Sequence, residues 1–280
     1  MGELAKDYVR IGAWHGGLGD SLQFSTLPEQ FYKQQGRETF VADGCTFRNE
    51  EIYDLVWGCN PYVRGVQEGP RNAGDIPEIT VTNPNGYESC ITNWEYLHGL
   101  TPVSKYPKIY YEPKKLPGME EIILVDLASI SLQHGGNSNV YPPPYNPEKV
   151  KETYKTLQRM YPDKIFGKVK FLNTISEETG DARTGGKVNA IEVDTSVDVL
   201  CDSIFTYCDL MNSCYGIIGL YSGQSALSSA IMEYNPELRS MTIVSRAVFN
   251  KHREQSGFIF DNIDYIIIDD DQPIKDSSVF

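Results

Sequence analysis

Two short segments, some two hundred residues apart, carry residue types suited to chemistry on a phosphorylated substrate. The first is His15-Gly16-Gly17-Leu18-Gly19-Asp20-Ser21. Glycines in a strand-to-helix turn let a bulky ligand approach the backbone, and amides at a helix start favour an anion. No Lys precedes Ser21, so the segment is not a P-loop, and its glycine spacing is not that of a dinucleotide fingerprint. Asp20 reads either as a helix cap or as a carboxylate base facing a cleft. In the second case His15, Gly16, Gly17 and Gly19 would contact a sugar or an acceptor. The second segment is Gly219-Leu220-Tyr221-Ser222-Gly223-Gln224-Ser225-Ala226-Leu227. Ser222, Gly223, Gln224 and Ser225 would offer hydroxyls and free amides to a diphosphate, or else simply cap the helix that follows.

Two further strand ends are candidates. After Asp126 a long polar stretch carries Ser129, Ser131 and His134; Ser129 and His134 would face a nucleotide diphosphate, with His134 donating to a phosphate or a sugar hydroxyl, or else His134 is a solvated loop residue. A loop of that length is commonly functional. In Ala190-Ile191-Glu192-Val193-Asp194-Thr195, backbone groups near Val193 would read a flat base edge, and Glu192 or Asp194 would hold ribose hydroxyls; capping by Asp194, Thr195 or Ser196 is the structural alternative. Asn72 and Asp75, and the pair Trp94-Glu95, are weaker candidates for an acceptor.

These segments need elements to hold them. Residues 7–14, 38–42, 78–81 and 108–111 read as strands of a first half, with helices over 21–35 (restarting at Pro28), 48–56 and 89–97. Residues 112–119 read as a Pro-containing linker. Strands then follow at 121–126, 168–172, 190–193, 216–220, 241–244 and 265–268, with helices at 147–160, 197–213 and 224–233. Strands alternating with helices imply parallel sheets covered by helices. The expectation is α/β with two Rossmann-like domains, residues 1–115 and 116–280, whose loops at the strand carboxyl ends share a cleft.

Composition narrows the partners. With 280 residues, 40% hydrophobic and 22% charged, the chain can build a proper core. A net charge of −13 argues against nucleic acid as a partner. No apolar run approaches the roughly 20 residues of a membrane span, and the start lacks a signal-peptide stretch and a myristoylation pattern. The six cysteines form no C-x-x-C pair, the last three (Cys201, Cys208 and Cys214) read as buried thiols, the four histidines have no metal-ligand spacing, and the expected location is the cytoplasm. Asp269-Asp270-Asp271 reads as a solvated tail, so no metal is expected.

Gly17-Leu18-Gly19-Asp20, Thr26-Leu27-Pro28 and Ser222-Gly223-Gln224-Ser225-Ala226-Leu227 together resemble the GT-B glycosyltransferases, more narrowly the heptosyltransferase-like family 9. Phe47-Arg48-Asn49-Glu50, Leu55-Val56-Trp57 and Asn60-Pro61-Tyr62 are similar to short glycosyltransferases of phages and chloroviruses, which include a xylosyltransferase of like size; a viral source would make the host cytoplasm the location. The resemblance implies an inverting, metal-independent transfer from a nucleoside-diphosphate sugar to a hydroxyl of an oligosaccharide or glycoprotein glycan, with Asp20 as base. The viral likeness implies a UDP-sugar, UDP-xylose first. A non-catalytic nucleotide-sugar-binding module and a nucleotide-sugar epimerase are the competing readings, because fold alone does not fix function.

Overall fold

The computed structural model describes residues 7–12, 16–45, 47–74, 89–129, 145–172, 189–254 and 259–269. The first half is a parallel sheet in the order β3-β2-β1-β4, built from β1 (Tyr8–Gly12), β2 (Glu38–Ala42), β3 (Val63–Gln67) and β4 (Ala73–Gly74). Its helices are α1 (Leu18–Leu22), α2 (Leu27–Gln35), α3 (Glu50–Tyr53), which runs into a π-helical turn over Asp54–Gly58, and α4 (Cys90–Leu97). The second half is a parallel sheet in the order β12-β11-β10-β5-β7-β9. Its strands are β5 (Ile122–Asp126), β7 (Ile165–Phe171), β9 (Val197–Cys201), β10 (Gly216–Leu220), β11 (Arg239–Ser245) and β12 (Asp264–Ile268). A small antiparallel pair, β6 (Ala128–Ser129) and β8 (Asn189–Ala190), lies beyond the end of β5. The helices here are α5 (Pro147–Met160), α6 (Ile204–Ser213), α7 (Gly223–Ile231) and α8 (Arg246–Glu254).

Sequence and packing agree most closely at β10 and α7. All five residues of β10, Gly-Ile-Ile-Gly-Leu, are buried, as expected of a strand covered on both faces. The small residues of α7 let it lie close to the sheet, and its Ser228 hydroxyl meets that of Ser240 on β11 at 2.6 Å.

Several expectations change. Residues 197–213 are not one helix. Val197-Asp198-Val199-Leu200-Cys201 alternates in burial as the edge strand β9, and Ser203 caps a new helix by accepting from the Thr206 amide. β-branched residues at alternate positions outweigh the helical spacing of Leu200 and Ile204. Residues 190–193 form a strand only at Ala190, and 108–111 belong to no strand. The expected strand at 78–81 lies outside the described residues. Helix 21–35 divides into α1 and α2, with Pro28 in the first turn of the second, where its missing N–H costs nothing.

The halves share one hydrophobic core. Leu22, Leu27, Ile52, Leu55 and Trp57 of the first half join Ile204, Met211, Leu227 and Ile231 of the second in a continuous buried cluster. The linker is strapped down. Asp209 on α6 accepts from the Tyr111 hydroxyl at 2.9 Å and the Lys114 amide at 2.8 Å, Asn212 donates to the Pro113 carbonyl at 2.8 Å, and the Leu116 amide donates to Ser213 at 2.7 Å. No helix among the described residues is long and apolar enough to cross a membrane. All six cysteines are unpaired; burial pushes the Cys90 and Cys214 thiols up to about 12, which makes them inert fillers at neutral pH.

Candidate functional site

The early glycine turn joins β1 to α1. Gly17 is the cap of α1, and Asp20 is its third residue, not its cap. Asp20 Oδ2 turns back to accept from the Gly17 amide at 3.1 Å and lies 4.0 Å from Arg48 Nη2. Its side chain is 26% exposed, so it reaches solvent from a fixed position. Arg48 is anchored by its own amide, which donates to the Gly16 carbonyl at 3.1 Å. The base of the turn is tight. Gly74 on β4 has φ +90°, and a side chain there would lie 2.4 Å from the Gly12 carbonyl oxygen at the end of β1. His98 Nε2 accepts from the Gly74 amide at 2.9 Å, while Nδ1 faces the Trp94 carbonyl at 2.8 Å; burial holds this imidazole below its usual pKa.

The late turn joins β10 to α7. Ser222 caps the helix by accepting from the Gln224 amide at 3.3 Å, and its own amide donates to the Ser225 hydroxyl at 3.3 Å. Ser225 is fully buried and also accepts from the Thr242 hydroxyl at 3.4 Å. It therefore shapes the turn from beneath, while Ser222 and Gly223 remain partly exposed. Gln224 is 6% exposed, neither of its amide atoms has a partner among the described residues, and it packs against Gly219, where a side chain would lie 2.0 Å from Oε1.

The two turns meet. A Cβ built on Gly223 would stand 2.8 Å from the Gly19 amide nitrogen and 3.2 Å from Leu18 Cβ. Where the expectation was a cleft separating the two segments, the structure puts their backbones in contact. Asp20 thus lies one residue from the contact, and the α7 amides start on its other side. An oriented carboxylate beside a helix start gives a proton acceptor and an anion seat within one site.

The other candidates are dispersed. Glu192 forms an ion pair with Lys168 on β7, and the Asp194 carbonyl accepts from the Tyr154 hydroxyl at 2.8 Å and from Gln158 at 3.2 Å, so this segment, with Val193, lies against the α5 flank. Asn72 serves as sheet hardware: it accepts from the Arg10 amide at 2.6 Å and donates its own amide to the Arg10 carbonyl at 2.8 Å. Trp94 and Glu95 are buried, which makes them core residues, the structural alternative to acceptor contact. Glu95 accepts from the Thr26 hydroxyl and the Val103 and Ser104 amides, and Trp94 donates to Gln23. Asp269 is exposed, with Arg246 as its ion-pair partner, and Asp270 and Asp271 lie outside the described residues. His15, Asp75, Ser131 and His134 lie outside the described residues, as does the side chain of Ser129.

Sequence reasoning missed Arg48 as the cation facing Asp20. It also missed Glu51, whose carboxylate accepts from the Ile204 amide at 2.8 Å and so ties α3 to the start of α6. Both belong to Arg48-Asn49-Glu50-Glu51, where a charged run ahead of an apolar helix gives no sign of its partners.

No family model matches the sequence, and no curated protein matches it. Solved structures do resemble the fold. The iron-containing dodecameric glycosyltransferase TibC from enterotoxigenic E. coli H10407 aligns over 92% of this chain with a TM-score of 0.54 and 15% identity; this chain spans 62% of that protein's length. E. coli ADP-heptose LPS heptosyltransferase II aligns over 92% of this chain and 90% of its own, with a TM-score of 0.53 and 7% identity. A family 9 glycosyl transferase from Veillonella parvula DSM 2008 aligns over 95% and 87%, with a TM-score of 0.52 and 11% identity. At such identities the likeness concerns architecture: the two parallel sheets with interleaved helices have the α/β arrangement of these GT-B enzymes.

Proposed function

We propose that the chain is a glycosyltransferase that moves a sugar from a nucleoside-diphosphate donor to a hydroxyl of a glycan acceptor. The observation that carries this reading is the contact between the Gly19–Asp20 turn and the Ser222–Gly223 helix start. The architecture shared with the heptosyltransferases supports it. The donor diphosphate sits at the start of α7, whose dipole and first-turn backbone take up the negative charge that grows as the leaving group departs. The acceptor oxygen attacks the anomeric carbon from the first-half side. The bond from that carbon to the diphosphate oxygen breaks with its electron pair, the acceptor proton passes to Asp20, and the configuration inverts. Arg48 and the Gly17 amide hold Asp20 in place for that step.

The narrower form of the proposal is a UDP-sugar, UDP-xylose first, and turnover without a metal ion. The first rests on the likeness of residues 47–62 to chlorovirus enzymes. The second is tested directly, since TibC is described as iron-containing.

The experiment is to incubate the chain with UDP-, GDP- and ADP-sugars and a glycan mixture, follow nucleoside-diphosphate release, and identify the product by NMR. A new glycoside of inverted anomeric configuration is expected, unchanged by EDTA. Donor binding without release would make the chain a binding module, and an isomerised donor would make it an epimerase.

A further inference from the structure

A second groove runs between the halves, away from the glycine turns. Its volume is about 600 Å³, within the roughly 300–1,000 Å³ of small-ligand sites. Its walls come from the start of α2, the segment 104–108 and the far end of α7, together with Asn262. Ser229 on that wall is six residues beyond Gly223, about 9 Å further along the helix at 1.5 Å per residue. A ligand here therefore would not share the seat of the diphosphate.

The groove's ammonium groups are each answered by a carboxylate. Lys108 donates to Glu29 at 3.1 Å, Glu29 also accepts from Lys33 at 2.6 Å, and Lys105 lies 3.9 Å from Asp261. Each ammonium lining the groove already faces a carboxylate, which leaves little pull on an anion. The same lysines oppose a cation. Open polar valence remains: Glu233 has no donor among the described residues, and Asn262 is fixed in place by two hydrogen bonds with Ser229.

A row of aromatic rings outside the groove connects to its wall through Glu29. The Tyr110 hydroxyl donates to Glu29 at 2.9 Å, its ring lies 5.9 Å from Tyr62, and Tyr62 lies 5.4 Å from Tyr32, which is 49% exposed. Tyr106 lines the groove itself. Such rings offer flat apolar faces with polar edges.

We propose that this groove and its tyrosine strip bind a neutral oligosaccharide at a site separate from the glycine turns. A carbohydrate is the ligand class that presents many hydroxyls, no charge and apolar C–H faces at once. Its C–H faces would stack on Tyr32 and Tyr106, and its hydroxyls would donate to Glu233. The proposal goes beyond the transferase reading and does not need it, because binding here requires neither donor nor turnover.

The test is an array of neutral oligosaccharides (glucan, mannan, xylan and galactan fragments), with heparin fragments and polylysine as charged controls, read with the full chain in the absence of nucleotide sugar. Titration calorimetry then gives the Kd of the best neutral hit. Tyr32→Ala and Tyr106→Ala are each expected to weaken that Kd by about tenfold or more, a loss of about 1.4 kcal/mol. Tyr32→Phe should keep it, since the ring face remains. Asp20→Asn should leave it unchanged. Far-UV circular dichroism and the melting temperature check that each variant folds, and Glu233→Gln provides a milder second substitution that also weakens binding. The proposal is overturned if no neutral oligosaccharide binds at about 1 mM, if only the charged controls bind, if the tyrosine variants bind as well as the native chain, or if Asp20→Asn abolishes binding. Failure of the transfer assay would leave this result standing, and the reverse also holds.

Discussion

The two glycine turns have the same local construction and do opposite things with it. Each follows a buried strand and each opens a helix, and Gly223 of the late turn leaves room for the Gly19 backbone of the early one. The early turn leaves a carboxylate partly exposed and steadies it with an amide and a guanidinium. The late turn has no charged side chain; it buries Gln224 and Ser225 and leaves Ser222 and Gly223 partly exposed at the helix start. In the proposed reaction the same strand-turn-helix unit would serve as proton acceptor on one side of the contact and as anion seat on the other, and the side chains next to the glycines set the division.

The sharpest way to break this comparison is to neutralise the early turn alone. Asp20→Asn keeps the shape and an acceptor for the Gly17 amide but loses the base, so transfer should slow by about 10²–10⁴-fold with donor affinity little changed. A loss below about tenfold would remove Asp20 from the role of base. Next comes the contact itself. Gly223→Val places carbon atoms against the Gly19 backbone, which has no flexible side chain to yield. Overpacking of this kind should cost about 1–3 kcal/mol of stability in urea unfolding. It should also weaken donor binding, because the late turn must shift. Unchanged stability would mean that the turns separate freely and that their contact is incidental.

Both turns were legible because glycine and serine runs at the ends of apolar strands mark tight strand-to-helix turns, where a larger side chain would obstruct the backbone. The covered strands were legible too: β2 spans the residues expected of it, and β10 likewise. The edges were not. β3 has no fully buried residue, so Val63–Gln67 carries no hydrophobic pattern to read. β9 was hidden inside a helical spacing, although Ser203 marks the true helix start. Arg48 facing Asp20 and Glu51 capping α6 depend on segments far apart in the chain, and local pattern is silent on such pairs. Trp94 and Glu95, weak acceptor candidates by their place near a helix end, belong instead to the core, where hydrogen bonds from Thr26, Val103 and Ser104 hold the carboxylate.

Acid should separate the two turns by their supports. His98 holds Gly74 beneath the early turn as a neutral imidazole, with burial keeping its pKa below the ordinary 6.5. The unfolded chain therefore takes up a proton first as the pH falls, and stability drops below pH 6.5. Glu29 adds a second step. Burial pushes its pKa up, but hydrogen bonds from Lys33, Lys108 and Tyr110 outweigh that and hold it below 4.5, so its contribution is present above 4.5 and lost beneath it. Both groups belong to the first half. Urea midpoints should therefore fall in two stages on acidification, and His98→Gln should flatten the upper one. Amide hydrogen exchange near Gly74 should quicken before exchange near Ser222 does; simultaneous loss would show that the late turn depends on the same support.

The smallest expected effect concerns how the early half serves the late one. Glu51 on α3 accepts from the Ile204 amide, one of the four N–H groups that α6 cannot satisfy internally. A carboxylate at a helix start is also favoured by the dipole. Glu51→Ala should cost about 1–2 kcal/mol, most of it from leaving that amide with weaker partners. Glu51→Gln keeps an acceptor and should lose less. If the two variants unfold alike, charge carries the interaction, and salt should weaken the native protein by the same amount. If Glu51→Gln behaves as the native chain, the hydrogen bond carries it. Neither substitution touches Asp20 or Ser222, so any loss of turnover would mean that α6, which also straps the linker through Asp209, Asn212 and Ser213, sets the spacing between the two turns.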